Sequence, residues 1–177
     1  MDFINPILQR IPDSAKDIRL NLDSVLSRSS LEPDDALGVA IAAAFAARSA
    51  ELLRALTPAA PETTAHAALS AAALMGMNNV WYPFVEMADD ESLRTMRPEL
   101  RMNAYANHGG VDRQSFELYA LAASIVGKCE FCVRSHYKLL AETGLTAQQL
   151  RDVGRIAAVI NAAAQVLASE TAMAEAA

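Results

Sequence analysis

Two cysteines stand three positions apart in the run GKCEFCVRSHYK, Cys129 and Cys132, and His136 follows the second by four residues. These are the only cysteines of the chain and one of its three histidines. A Cys-x-x-Cys pair fits three kinds of chemistry: a redox dithiol, half of a metal site, or two inert buried thiols. Cysteines so close in sequence cannot staple distant segments, and a reducing compartment favours a catalytic or metal role over a structural one.

Gly127 and Lys128 put Cys129 at the start of a helix, where free backbone amides and the macrodipole favour a thiolate. A helix terminus supplies about 0.3–1 kcal/mol, whereas bringing a thiol from about 8.5 to near 7 needs about 2 kcal/mol. A base or cation must make up the difference. His136 shares the helix stripe of Cys129 and Cys132, with its imidazole expected over the second cysteine.

An imidazole acting as a base is usually held in one tautomer by a partner on its other nitrogen. Glu117, amid apolar neighbours in SFELYALAASIV, is the nearest candidate. A short turn through Gly127 folds its helix back against the cysteine helix. The expected chain is Glu117, His136, Cys132, Cys129; a solvated acid and a structurally bonded histidine are the plain alternatives. A zinc site would have to recruit the distant His66 or His108, an awkward assembly.

These residues need helices to position them, and apolar residues recur at helical spacing nearly throughout, without strand-like alternation. The fold class is all-α, with about seven to ten helices. Asp13 or Ser14 is expected to cap a first helix ending near SRSS, and Pro33 opens a second. PETTAHAALSAAALMGMNNVWYPFVEMA is expected to break near Gly76 or Pro83. MRPELRMNAYANHGG is the main irregular connection. Asp112 caps the helix that Gly127 ends, Gly144 closes the cysteine helix, and Thr146 with Gln149 forms a capping box. Trp81, Tyr82 and Phe84, with Met75 and Met77, suggest core or subunit contact rather than a cofactor box.

A candidate internal duplication pairs FAARSAELL at 45–53 with FCVRSHYKLL at 131–140, an offset of 86 residues. In so alanine-rich a chain, chance accounts for the match more readily than duplication.

At 177 residues, 53% hydrophobic and 20% charged, the chain is expected to form one domain over residues 1–177. A net charge of −6 without a basic run argues against nucleic acid and anionic lipid as partners. Uncharged runs such as ALGVAIAAAFAA fall short of the roughly 18 residues of a membrane span, and residues 1–20 lack a basic-then-apolar leader. A cytoplasmic protein is expected.

The segments AKDIRLNL (15–22), MGMNNV (75–80), RPELRMN (97–103) and FELYALAASIVGKCEFCVRSH (116–136) resemble the alkyl hydroperoxide reductase D (AhpD) family, within the carboxymuconolactone decarboxylase-like helical fold. The resemblance spans the whole chain. It implies a homotrimer that reduces organic hydroperoxides and regenerates an AhpC-type peroxiredoxin. Electrons would come from dihydrolipoamide on the lipoylated acyltransferase of a 2-oxo acid dehydrogenase complex, with no bound cofactor and no metal.

By the same resemblance Cys132 forms the sulfenic acid or the mixed disulfide with the partner. Cys129 donates a proton and closes the Cys129–Cys132 disulfide, while Glu117 and His136 relay protons. The chain departs from the family at Phe131, where members often carry histidine, so its relay has one member fewer. A redox-sensing helical assembly and a carboxymuconolactone decarboxylase-like enzyme acting on a lactone are the competing readings; the cysteine pair argues against the second, since lactone chemistry does not require it, and rapid hydroperoxide turnover would exclude the first as the main role.

Overall fold

The computed structural model describes residues 2–176, which hold ten α-helices, short 3₁₀ turns and no strand. The helices are α1 (Asn5–Arg10), α2 (Lys16–Ser27), α3 (Pro33–Ala46), α4 (Ala50–Leu56) and α5 (Glu62–Ala88). They continue with α6 (Glu91–Thr95), α7 (Asn103–Asn107), α8 (Arg113–Gly127), α9 (Glu130–Glu142) and α10 (Ala147–Glu175).

Helix α3 is apolar all round, and an unbroken run from Gly38 to Ala44 is buried, as expected of a helix at the centre of a bundle. It packs against α5, α8 and α10, and α5 also packs on α8. Alanine dominates these faces, which lets the helix axes approach closely. Gly38 marks the closest approach: a Cβ there would lie 2.3 Å from Tyr119 Cε1. Tyr119 is buried and donates its phenol to Asp35 Oδ1 at 3.1 Å, so the ring has no room to retreat. Gly38→Ala is therefore expected to destabilise the fold by about 1–3 kcal/mol, read as a lowered midpoint in thermal unfolding. An unchanged midpoint would refute the close packing.

Helix α10 is long and apolar enough to span a membrane by length and composition alone. Its buried face, from Leu150 through Ile156 and Ile160 to Leu167, packs on α2, α3 and α8. Buried Asp152 ties α10 to the loop after α2, accepting from Ser30 N–H at 2.9 Å, Ser30 Oγ at 2.8 Å and Arg155 Nη1 at 3.0 Å. Burial pushes this carboxyl up, but these donors together with Arg151 outweigh it and hold it at about 2.

Three expectations are corrected. The chain begins with the extra helix α1, and α2 has Ala15 at its N-cap with no side-chain bond. Asp13 instead accepts from Arg19 Nη2 at 2.8 Å, and Ser14 lies in the 3₁₀ turn before α2. Helix α5 does not break at Gly76 or Pro83. Gly76 is exposed and its missing side chain leaves no core gap, while Pro83 falls beyond the packed half of the helix, which ends at Asn78. There the loss of one i→i−4 bond opens no hole in the core.

The structure does not carry the 86-residue match; a shared junction motif stands instead at an offset of 80. Arg48 and Lys128 both adopt φ 57° as the left-handed residue between two helices. Ser49 N–H donates to Ala44 O and Cys129 N–H to Ser124 O, both spanning five residues. Ser49 and Cys129 then each cap the next helix, accepting from the amides of Leu52 and Cys132. The 86-residue alignment instead set this α3–α4 junction against the uninterrupted helix α9.

Candidate active site

Helix α8 starts at Asp112, whose carboxylate accepts from Ser115 N–H at 3.0 Å, and it turns into α9 through Lys128 in the left-handed conformation. That tight junction brings α9 back against α8, with Cys129 as the N-cap of α9. Gly127 leaves the space that the Asn79 amide occupies, since a Cβ there would lie 2.0 Å from Asn79 Nδ2 and the side chain would have to move. Asn79, in α5, donates to Ala123 O at 3.1 Å and fixes α5 to the end of α8.

Cys129 and Cys132 are free thiols, 0% and 2% exposed. The amide of Cys132 donates to Cys129 Sγ at 3.3 Å, so the first cysteine does a job usually given to serine, threonine or aspartate. Burial pushes the Cys132 thiol well up, and the hydrogen bond and charge of Cys129 push it further. The resting Cys132 is thus a protonated thiol that needs a base.

Glu117 and His136 meet as expected: His136 Nδ1 lies 2.6 Å from Glu117 Oε2, with Glu117 1% exposed and His136 also buried. A carboxylate can only accept, so Nδ1 carries the proton and Nε2 is the basic nitrogen. Nε2 lies 3.2 Å from Met75 Sδ, which differs from the expected seat over Cys132. A thioether is a weak acceptor and competes poorly for a proton. The ring is therefore held at Nδ1 and left unneutralised at Nε2.

Two groups at Glu117 escaped sequence reasoning. Tyr105, from α7 in the irregular connection, donates its phenol to Glu117 Oε1, and Arg113 Nε lies 4.0 Å from the same oxygen. Burial pushes the Glu117 carboxyl up, but bonds from His136 and Tyr105 and the charges of His136 and Arg113 outweigh it and hold it below the usual glutamate value. The i,i+4 spacing of Arg113 and Glu117 was a usable signal. Nothing in the sequence marked Tyr105, because the turn that delivers it depends on Gly109 at φ 62° lying against Ala67.

The remaining candidates lie elsewhere. His66 is exposed on α5, and His108 lies with its ring centroid 5.9 Å from that of Phe116, the planes tilted by 56°. Among the described residues no three His, Cys, Asp or Glu side chains gather as a metal cage. Phe131 is 50% exposed and stacks on Tyr82, with ring centroids 4.3 Å apart and planes at 23°.

An all-helical bundle with a capped, buried dithiol at the α8–α9 junction defines the class, and comparison with known proteins agrees: residues 92–175 match the carboxymuconolactone decarboxylase family. The chain is also 43% identical over 174 residues to the alkyl hydroperoxide reductase AhpD of Rhodospirillum centenum, covering 96% of this chain and 93% of that protein. The AhpD of Rhodopseudomonas palustris is 41% identical, with 91% of each chain covered. That of Brucella canis is 39% identical, covering 93% of this chain and 95% of its own. The chain belongs to the alkyl hydroperoxide reductase AhpD family, whose role is that of an oxidoreductase.

Proposed function

We propose that the protein reduces organic hydroperoxides through Cys129 and Cys132. The observation that carries this reading is the buried Glu117–His136 pair one helical turn beyond a dithiol whose first sulfur caps the helix. His136 Nε2, which rests against Met75 Sδ, takes the Cys132 proton once the imidazole leaves the thioether, and Glu117 stabilises the imidazolium that results. The Cys132 thiolate attacks the peroxide O–O bond, giving an alcohol after protonation of the leaving alkoxide and leaving Cys132 as a sulfenic acid. Cys129 condenses with it, releasing water and forming the disulfide.

Side chains three apart on a helix hold their Cβ atoms about 5–6 Å apart, and a disulfide needs about 3.5–4.5 Å. Cys129 lies outside the helix proper, at φ −81° and ψ 102°, so its backbone can move inward without unwinding α9.

Two electrons from a dithiol reopen the disulfide by exchange; the reading assigns this to dihydrolipoamide on the acyltransferase of a 2-oxo acid dehydrogenase complex. The same disulfide chemistry, through Cys132, serves regeneration of an AhpC-type peroxiredoxin. A free dithiol suits the cytoplasm. Self-association as a homotrimer is supported by an exposed apolar stripe on α5, Val80 (70%), Phe84 and Met87 (78%), whose spacing puts them on one face. Sedimentation of the parent and of Val80→Asp tests it, and a monomeric parent would exclude it.

The test of the reaction is hydroperoxide consumption driven by dihydrolipoamide, together with thiol labelling across pH. Turnover is expected with the aliphatic and aromatic hydroperoxides, and its absence with every dithiol would refute the proposal. Lactone decarboxylation without peroxide turnover would favour the decarboxylase reading instead.

A further inference from the structure

A cavity of about 690 Å³ opens between the exposed end of α5, helix α6 with the segment after it, and α9. Its apolar wall is built from Trp81, Tyr82, Val85, Leu93, Met96 and Phe131. The volume is that of a small-molecule site rather than a groove for a protein segment. The two cysteines do not line it. They lie buried next to it, since Phe131 directly precedes Cys132 on α9 and stacks on Tyr82 across the cavity wall.

Tyr82 lines the cavity and packs on Phe131. Burial pushes its phenol up, and the charges that Cys132 and Cys129 would carry as thiolates push it further, so the ring lies within electrostatic reach of the sulfur pair. Cavity and dithiol are neighbours through Phe131, which lines the one and directly precedes Cys132.

The charges at the rim select against an anionic ligand. Arg134 is paired with Glu130, Arg94 with Asp89 at 2.7 Å and Glu91 at 3.5 Å, and Lys138 with Glu142 at 3.8 Å. Glu86, also in the lining, adds negative charge with no ion-pair partner among the described residues. What remains to recognise a ligand is aromatic and aliphatic surface.

We infer that this cavity is the binding site for the organic part of a neutral, apolar hydroperoxide, and that Phe131 with Tyr82 forms the surface that selects an aryl or bulky alkyl group over hydrogen peroxide. The inference deepens the proposed hydroperoxide reduction and rests on it for the reacting group, but the cavity's preference for apolar ligands can be measured without turnover. An aromatic ring laid against the cavity-facing side of the Tyr82–Phe131 stack brings a peroxide substituent toward Cys132. A histidine at 131 would supply a proton carrier but less apolar surface, so this chain trades a polar relay member for ligand contact.

Trp81 is the only tryptophan and lines the cavity, so its fluorescence reports occupancy. The experiment titrates 2-phenyl-2-propanol, the alcohol left by cumene hydroperoxide, into the parent, Phe131→Ala, Phe131→His and Phe131→Tyr. In parallel, kcat/KM is measured for cumene hydroperoxide and hydrogen peroxide with dihydrolipoamide.

A saturable change is expected in the parent, with affinity at least fivefold weaker in Phe131→Ala and Phe131→His and restored in Phe131→Tyr. The cumene-to-hydrogen peroxide ratio of kcat/KM is expected to fall about tenfold in Phe131→Ala. Circular dichroism confirms that each variant is folded. No saturable change in the parent, equal affinity in Phe131→Ala, or an unchanged ratio overturns the inference. Saturable binding without any peroxide turnover upholds the apolar site and overturns the reductase reading instead.

Discussion

Cys132→Ser is expected to lower dithiol-driven hydroperoxide turnover by about 10³-fold or more, while the protein remains folded. A serine hydroxyl in this buried position has no accessible anion and cannot form a sulfenic acid, so neither the attack nor the condensation step survives. Cys129→Ser should behave differently. Serine is a preferred N-cap, and Ser49 already fills the equivalent place at the matching α3–α4 junction, accepting from Leu52 N–H at 3.3 Å. The variant is therefore expected to keep or slightly raise the unfolding midpoint. It should still reduce one equivalent of hydroperoxide per chain and then stop, with Cys132 trapped as a sulfenic acid that a dimedone adduct reveals in mass spectrometry. Cys129→Ala removes the cap as well and should cost about 1 kcal/mol of stability. If Cys129→Ser instead abolishes the first equivalent while Cys132→Ser retains it, the two cysteines have exchanged roles.

That contrast depends on a feature visible in the sequence only in part. Gly127 before Lys128 and Cys129 announced a helix end followed by a helix start, and the local chemistry of turns and caps is short-range enough to read directly. Asp112, Gly144 and the Thr146–Gln149 box were legible for the same reason. The pairing of Glu117 with His136 was legible because a tight turn leaves two helices little choice but to lie side by side, so an inward carboxylate and an inward imidazole on them must meet.

What was not legible depended on contacts between segments far apart in the chain. Met75 reaches His136 from α5, 61 positions away, and redirects the imidazole from the sulfur toward a thioether. Tyr105 arrives from a stretch without periodicity. Asp152 reads as one more charge on a long helix, although the Ser30 amide and hydroxyl claim it from 122 positions away. Pro83 misled because its usual effect is judged within one helix, whereas the buried residues of α5 already end at Asn78. The repeat was sought in residue identities, whereas what the two junctions have in common is a backbone conformation that Arg48 and Lys128 share without sharing a sequence context.

Glu117→Gln is the substitution expected to separate the charge of the pair from its shape. Glutamine retains the volume and can still accept from Tyr105 through its carbonyl oxygen. Its amide then presents N–H donors to Nδ1, where the parent presents an acceptor, so the imidazole is driven to the opposite tautomer, with the proton on Nε2. A ring protonated at Nε2 cannot take the Cys132 proton there, and turnover is expected to fall by about 10²–10⁴-fold. The pH dependence of stability gives a second readout, independent of activity. The Glu117 carboxyl is held below its ordinary 4.5 in the folded protein, so its ionisation stabilises the fold above about that pH. That contribution is lost as pH falls through the folded value. The parent should therefore lose more stability between pH 6 and pH 3 than Glu117→Gln does, and thermal melts across that range would show the two curves converging toward acid. Parallel curves would mean that the carboxylate is not selectively stabilised by Tyr105, Arg113 and His136. Convergence with unimpaired turnover would leave Glu117 a structural anchor and remove it from the proton path.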